Sequence, residues 1–288
     1  MSVYEPDATT STSADDLPEW IDCHVHLYPE RMRRAVKNWF ESYTDWEQPY
    51  LEEDSRALIE RLKHWGVKEI YSLHYAHEPN ISLELNRWVQ DFIEETEDMI
   101  IHPFGAVHPE DDDLDRTITE TLDTMGFPGF KIQCSVMGIT ADDPRFDPIA
   151  EALIERNKGL VIHTGTAPEE DGTGGIKYFR PLMQKYPNLK VLVPHLGMME
   201  FEGFATLLPE YDKLYFDVSA TLNPRYDFPW ERFESYLRDF PDRFLFGTDI
   251  PLNETRPPRL VQRLVERNWD QDTYDRLLRQ NAREFLRT

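Results

Sequence analysis

Cysteine is scarce in this chain. Of 288 residues only Cys23 and Cys134 carry a thiol, and neither stands in a CxxC pair. A disulfide framework is therefore excluded as a source of stability, and a reducing compartment suits the sequence. Long apolar runs are also lacking. No stretch of about 18 apolar residues occurs, so no membrane-spanning helix is expected. The opening "MSVYEPDATTSTSADDLPEW" is polar and acidic, without the basic and apolar regions of a signal peptide. The expectation is a soluble, cytoplasmic protein with a loose acidic arm over residues 1–18 and one domain over 19–288.

Positive charge is in short supply too. Lys and Arg number 31 against 54 Asp and Glu, a net charge of −23, which argues against nucleic acid or an anionic membrane as partner. Acidic side chains crowd the predicted helix surfaces, as in "EEDSRALIE" and "DFIEETED". This pattern points to an acidic, halophilic proteome, in which a salt-rich cytosol screens the self-repulsion.

What the chain does have is a regular alternation. Short β-branched or aromatic runs at 20–27, 67–75, 99–108, 129–134, 159–166, 190–197, 214–220 and 243–250 are separated by segments with apolar residues at three- and four-residue spacing. Gly66, Gly126 and Gly159 come just after three such segments, where a left-handed helix C-cap would sit. Eight strand–helix units in this length predict a (β/α)8 barrel, with extra helix at the C-terminus. The segment 28–50, rich in Trp and Tyr, exceeds the usual loop length and is expected to fold over the barrel mouth as a lid or pocket wall.

In such a barrel the reactive groups collect where the strands end. His24 and His26 fall late in the first run, His163 late in the fifth, His195 late in the sixth and Asp249 at the end of the eighth. Each histidine alone would read as a core imidazole bonded to backbone; five ionisable groups on one rim read as a site. Three imidazoles and a carboxylate are the N and O donors that suit one divalent metal, Zn2+ first and Mn2+ or Fe2+ after it. By strand parity Cys23 should face away from the histidine pair, and Cys134 is read as packing.

"DCHVHLYP", "VIHTGT", "VPHLG" and "FGTDIP", in this order, resemble the metal-dependent amidohydrolase superfamily, and within it the branch of aminocarboxymuconate semialdehyde decarboxylase and the resorcylate-type decarboxylases. The closing "NAREFL" is similar to that branch as well. The resemblance implies that His24, His26 and His163 bind the metal, that Asp249 completes its shell, and that His195 stands beside a bound water as a catalytic group. It also implies a single metal, with Lys131 as a buried support or a contact for a substrate anion rather than a carboxylated bridge. The expected reaction is hydrolysis of a small-molecule amide, ester or lactone by metal-activated water, with Asp249 passing a proton. Decarboxylation of a small aromatic or unsaturated acid is the alternative, placed second because no carboxylate-binding cluster is visible. A barrel that binds metal without turnover is the third reading. His74, His77, Lys131, Tyr178 and Arg225 are candidate substrate contacts. The partner expected is a small molecule, with a homodimer left open.

Overall fold

The computed structural model describes residues 17–43, 48–166, 172–224 and 226–287. The arm predicted for 1–18 lies almost wholly outside the described residues, as does Arg225. Strands form at all eight predicted places, each shorter than its apolar run: β1 (Asp22–Val25), β2 (Glu69–Leu73), β3 (Ile100–Ala106), β4 (Gly129–Gln133), β5 (Gly159–His163), β6 (Lys190–Val193), β7 (Leu214–Asp217) and β8 (Phe244–Leu245). They pair in parallel in the order β1 to β8. Past its end β8 returns to β1 through the bridge Val25–Ile250, and Cys23 N–H donates to Phe246 O at 2.9 Å. With helices between the strands, this is the (β/α)8 barrel.

The two-residue period of the strands separates two cores. Ile70, Phe130, Ile132, Leu160, Ile162, Val191, Val193 and Phe216 point outward and pack under the helices. Tyr71, Leu73, Phe104, Val161, Leu192 and Leu245 point inward and fill the barrel. Strand β1 breaks the rule. Asp22 pairs with Ile70 but Val25 with Ser72, so three steps along β1 answer two along β2. This bulge corrects the parity argument for Cys23, which joins the barrel interior. A bulge inserts one residue and re-aims those after it; hence Cys23 and His24 both face inward while Val25 returns to the outer layer.

The end of the barrel opposite the strand C-termini is sealed by the chain's own end. Residues Gln271–Asp275, Arg276–Gln280 and Asn281–Leu286 run on as successive helical segments. Phe285 enters the barrel floor, its ring 5.2 Å from Tyr215, 6.0 Å from Phe104 and 6.4 Å from Tyr71. Lys190 donates to the carbonyls of Arg287 (2.6 Å), Asn157 (3.2 Å) and Phe285 (3.3 Å), capping the last turn. Gly66 and Gly126 are left-handed as expected, with φ of 85° and 75°. Gly159 is not; Asn157 takes the left-handed position at φ 50°, and Gly159 is needed because a Cβ there would meet Phe285 Cζ at 2.9 Å.

No helix among the described residues is long and apolar enough to cross a membrane. The plug generates a prediction. Phe285→Ala should cost about 3–5 kcal/mol of unfolding free energy, measured by urea denaturation, through a cavity under the barrel. Metal content should be unchanged, since the floor lies at the other end from the histidines.

Candidate metal centre

The bulge brings His24 and His26 to the inner rim, and two buried carboxylates, Asp22 and Asp217, hold the groups around them. Asp22 accepts from His24 N–H (3.2 Å) and Thr248 N–H (2.9 Å) through Oδ1 and from the Thr248 hydroxyl (2.6 Å) through Oδ2. It thus ties the start of β1 to the segment after β8, and burial pushes its carboxyl up to about 7. Gly247 lies so near that a Cβ would meet His24 Cβ at 2.8 Å. One residue beyond Thr248, Asp249 adopts φ 66° and donates its N–H to His24 O at 2.8 Å. That left-handed turn, and not a helix N-cap, aims its carboxylate at the histidines.

Asp217, at the end of β7, is the second support. Its Oδ2 lies 2.9 Å from His24 Nδ1, and its Oδ1 accepts from the backbone N–H groups of His195 and Ser219, each at 3.0 Å, and from the Ser219 hydroxyl. An ionised carboxylate only accepts, so His24 carries its proton on Nδ1. His26 is fixed the same way, with Nδ1 2.6 Å from Leu73 O. Its ring lies between Tyr28, stacked at 5.6 Å, and Tyr75, edge-on at 5.9 Å.

The Nε2 atoms of both rings converge. His24 Nε2 and His26 Nε2 stand 3.2 Å apart, with Asp249 Oδ1 3.4 Å from the first and 3.2 Å from the second. Two ring nitrogens and a carboxylate oxygen packed this closely, away from water, satisfy one another poorly. A cation relieves all three contacts at once, so the donor set fits a metal ion. Burial holds the His24 imidazole well below its usual pKa, with Lys131 adding to the effect, and raises the Asp249 carboxyl.

His195 comes after β6 in a run of left-handed residues, His195, Leu196, Gly197 and Met198, at φ 57°, 55°, 73° and 53°. Non-glycine residues in that region cost on the order of 1 kcal/mol or more each, and such strain collects at functional sites. The turn stacks His195 on His24, ring centroids 4.7 Å apart, and its Nδ1 meets Ser219 O at 3.1 Å, which leaves Nε2 unprotonated. Burial holds this imidazole neutral. His163 stands edge-on to His195 at 4.9 Å, and both line one cavity with His26 and Asp249.

That cavity, about 560 Å3, opens at the strand C-termini. The first helix, α1 (Glu30–Tyr43), supplies one wall with Met32, Ala35, Val36, Trp39 and Phe40, the part of 28–50 that forms the expected pocket wall. Of the candidate substrate contacts, His77 lines the cavity, as do Gln133 and Ser135, which sequence reasoning had not chosen. His74 is fully buried against Phe127, ring to ring at 6.5 Å, and does not reach the mouth. Tyr178 packs in the helical layer beneath the Lys177 ammonium, 4.7 Å away, outside the cavity. Lys131 is fully buried inside the barrel and its Nζ makes no hydrogen bond among the described residues. Burial lowers its pKa to about 8, against the pull of Asp217 and Asp249. Asp22, Asp217, Ser219 and Thr248 were missed, although Tyr215, Asp217 and Ser219 show the inward period of two.

Comparison with known proteins agrees with the barrel fold. Among solved structures the chain is similar to a TIM-barrel protein from Bordetella bronchiseptica, at 17% identity over 93% of this chain and 98% of that one, with a TM-score of 0.75. It is similar to a 5-carboxyvanillate decarboxylase from Novosphingobium aromaticivorans complexed with manganese and 4-hydroxy-3-methoxy-5-nitrobenzoic acid (17% identity, 93% and 96% covered, TM-score 0.69). A dihydroxybenzoic acid decarboxylase from a Polaromonas species, with bound manganese and the inhibitor 2-nitroresorcinol, matches at 14% identity (94% and 97% covered, TM-score 0.68). At these identities the likeness establishes the fold. No curated protein matches the chain significantly. The amidohydrolase family profile, in contrast, matches residues 21–288, and the chain belongs to that family.

Proposed function

We propose that the protein is a metal-dependent decarboxylase of a small aromatic carboxylic acid, with His24, His26, His163 and Asp249 as ligands of one divalent cation. The observation that carries the reading is the convergence of the His24 and His26 Nε2 atoms on the Asp249 carboxylate beside a cavity walled largely by apolar side chains. A cation bound there supplies positive charge that holds acidic substrate oxygens and acidifies water. Decarboxylation disperses the charge of a carboxylate as neutral CO2 departs, and the wall of Met32, Val36, Trp39 and Phe40 disfavours the compact anion more than the dispersed one. As the C–CO2 bond breaks, its electron pair passes to the ring carbon. Asp249, on the cavity wall, is placed to pass that carbon a proton drawn from solvent. His195 is placed to accept a hydrogen bond from the substrate through its free Nε2. Manganese in two of the structural relatives makes Mn2+ a candidate beside Zn2+.

Hydrolysis of an amide, ester or lactone is the second reading, and one observation favours it. A neutral His195 with a free Nε2 on the cavity wall is also suited to take a proton from water.

The ligand set and the wall each generate a prediction. Purified protein loaded with Mn2+ or Zn2+ and desalted should retain about one equivalent by elemental analysis. His26→Ala and Asp249→Ala should lose it, and Asp217→Asn should weaken the metal by about 10–100-fold because His24 loses the acceptor that fixes it. Absence of bound metal from the wild-type protein would overturn the assignment. A panel of hydroxylated benzoic acids should release CO2, and His195→Ala should slow that release by about 100-fold or more at unchanged metal content. Hydrolysis of esters, amides or lactones without CO2 release would select the second reading.

A further inference from the structure

Two residues beyond His26, the chain is pinned at Tyr28. Its N–H donates to Ser55 Oγ at 3.0 Å, and the same hydroxyl donates to Tyr28 O at 2.9 Å. Ser55 opens the helix Ser55–His64, which Asp54 caps, so the backbone at Tyr28 is anchored to a rigid element. From that anchor the Tyr28 ring lies parallel to His26, with 2° between the planes and 5.6 Å between the centroids. Around it pack Met32, Phe40, Leu51 and Tyr75. A phenylalanine would keep the stack and the packing, so the hydroxyl is what needs a reason. It is shielded from solvent and makes no hydrogen bond among the described residues. A buried donor left in that condition costs stability.

Burial pushes the Tyr28 phenol well above its usual range, and Tyr75 and the Asp249 carboxylate add to the effect. The phenol therefore keeps its proton and remains a donor. The carboxylate whose charge it feels is the one that meets the metal-binding imidazoles, and Asp249 makes both of those contacts through Oδ1. Its second oxygen is the one left to a donor outside the ring pair.

Resting on the proposed ligand set, we infer that Tyr28 is a positioning residue of the metal centre, whose hydroxyl donates to the second oxygen of Asp249 when Oδ1 is committed to a cation. The hydrogen bond fixes the carboxylate on the cation and satisfies the phenol in the same step. Without a cation the hydroxyl is an unmet donor, and removing it is a gain; with one it holds a ligand in place, and removing it is a loss. Stability of the metal-free protein and affinity for metal then respond to this one hydroxyl with opposite signs, which a residue that only packs on His26 does not produce.

The full-length protein and its Tyr28→Phe variant are treated with chelator and compared by thermal denaturation, and Zn2+ affinity is measured by competition with a chelating indicator. Tyr28→Phe should raise the metal-free midpoint by about 2 °C or more and weaken Zn2+ binding about tenfold. Tyr75→Phe, which removes the neighbouring phenol hydroxyl, should leave Zn2+ affinity unchanged. A lower metal-free midpoint for Tyr28→Phe, or an unchanged Zn2+ affinity, overturns the inference and leaves the ligand set standing. Equal weakening by Tyr75→Phe overturns the role of Tyr28 as the direct partner of Asp249. Failure of the wild-type protein to bind Zn2+ removes the ligand set and this inference with it.

Discussion

Two imidazole nitrogens and a carboxylate oxygen held within 3.2–3.4 Å of one another, away from water, are an unfavourable arrangement that this fold takes care to build. Asp217 engages Nδ1 of His24 and the Leu73 carbonyl Nδ1 of His26, and these contacts fix both rings with Nε2 turned toward Asp249. Much of the surrounding structure serves that constraint. Asp22 clamps the backbone on both sides of the cluster, Tyr28 and Tyr75 hold the His26 ring, and left-handed turns at Asp249 and His195 bring in groups that a regular strand would send elsewhere.

Stability and chemistry are divided between the two ends of the barrel. At the floor, Phe285 and the Lys190 cap close the interior with aromatic packing and satisfied carbonyls. At the mouth, polar groups are fixed by one another, and an apolar helix face stands open to the cavity. The barrel between them passes from Tyr71, Phe104 and Leu192 to the buried Lys131, which feels the charge of Asp217 and Asp249.

The periods of the sequence made the barrel legible, because a strand buried under helices must be apolar on one face and a helix on one stripe. That His24, His26, His163, His195 and Asp249 gather at one end of the barrel was legible because strand ends share a rim, and the structure brings them together there. Cys23 was misread, since a bulge leaves no mark in a hydrophobic pattern and shifts parity by one. His74 and Tyr178 were misplaced for a related reason: in the loops beyond the strands, nothing local tells a residue that lines the cavity from one that turns under a helix. Asp217 escaped notice although its parity was correct, because one aspartate among 54 acidic residues carries little signal by itself.

The cluster lies on the seam where the last strand meets the first. His24 and His26 belong to β1 and its immediate continuation, while Asp249 lies beyond β8 more than 200 positions later, and the clasp between them, Asp22 to Thr248, spans a separation of 226 residues. No contiguous fragment that stops short of β8 can therefore assemble the cluster. During synthesis the two histidines precede Asp249 by more than 200 residues, and the Asp22 carboxylate stays unclasped until the segment after β8 has left the ribosome. On the proposed ligand set a cation met before then would find only part of its shell, so metal retention would report whether β1 and the segment after β8 have met.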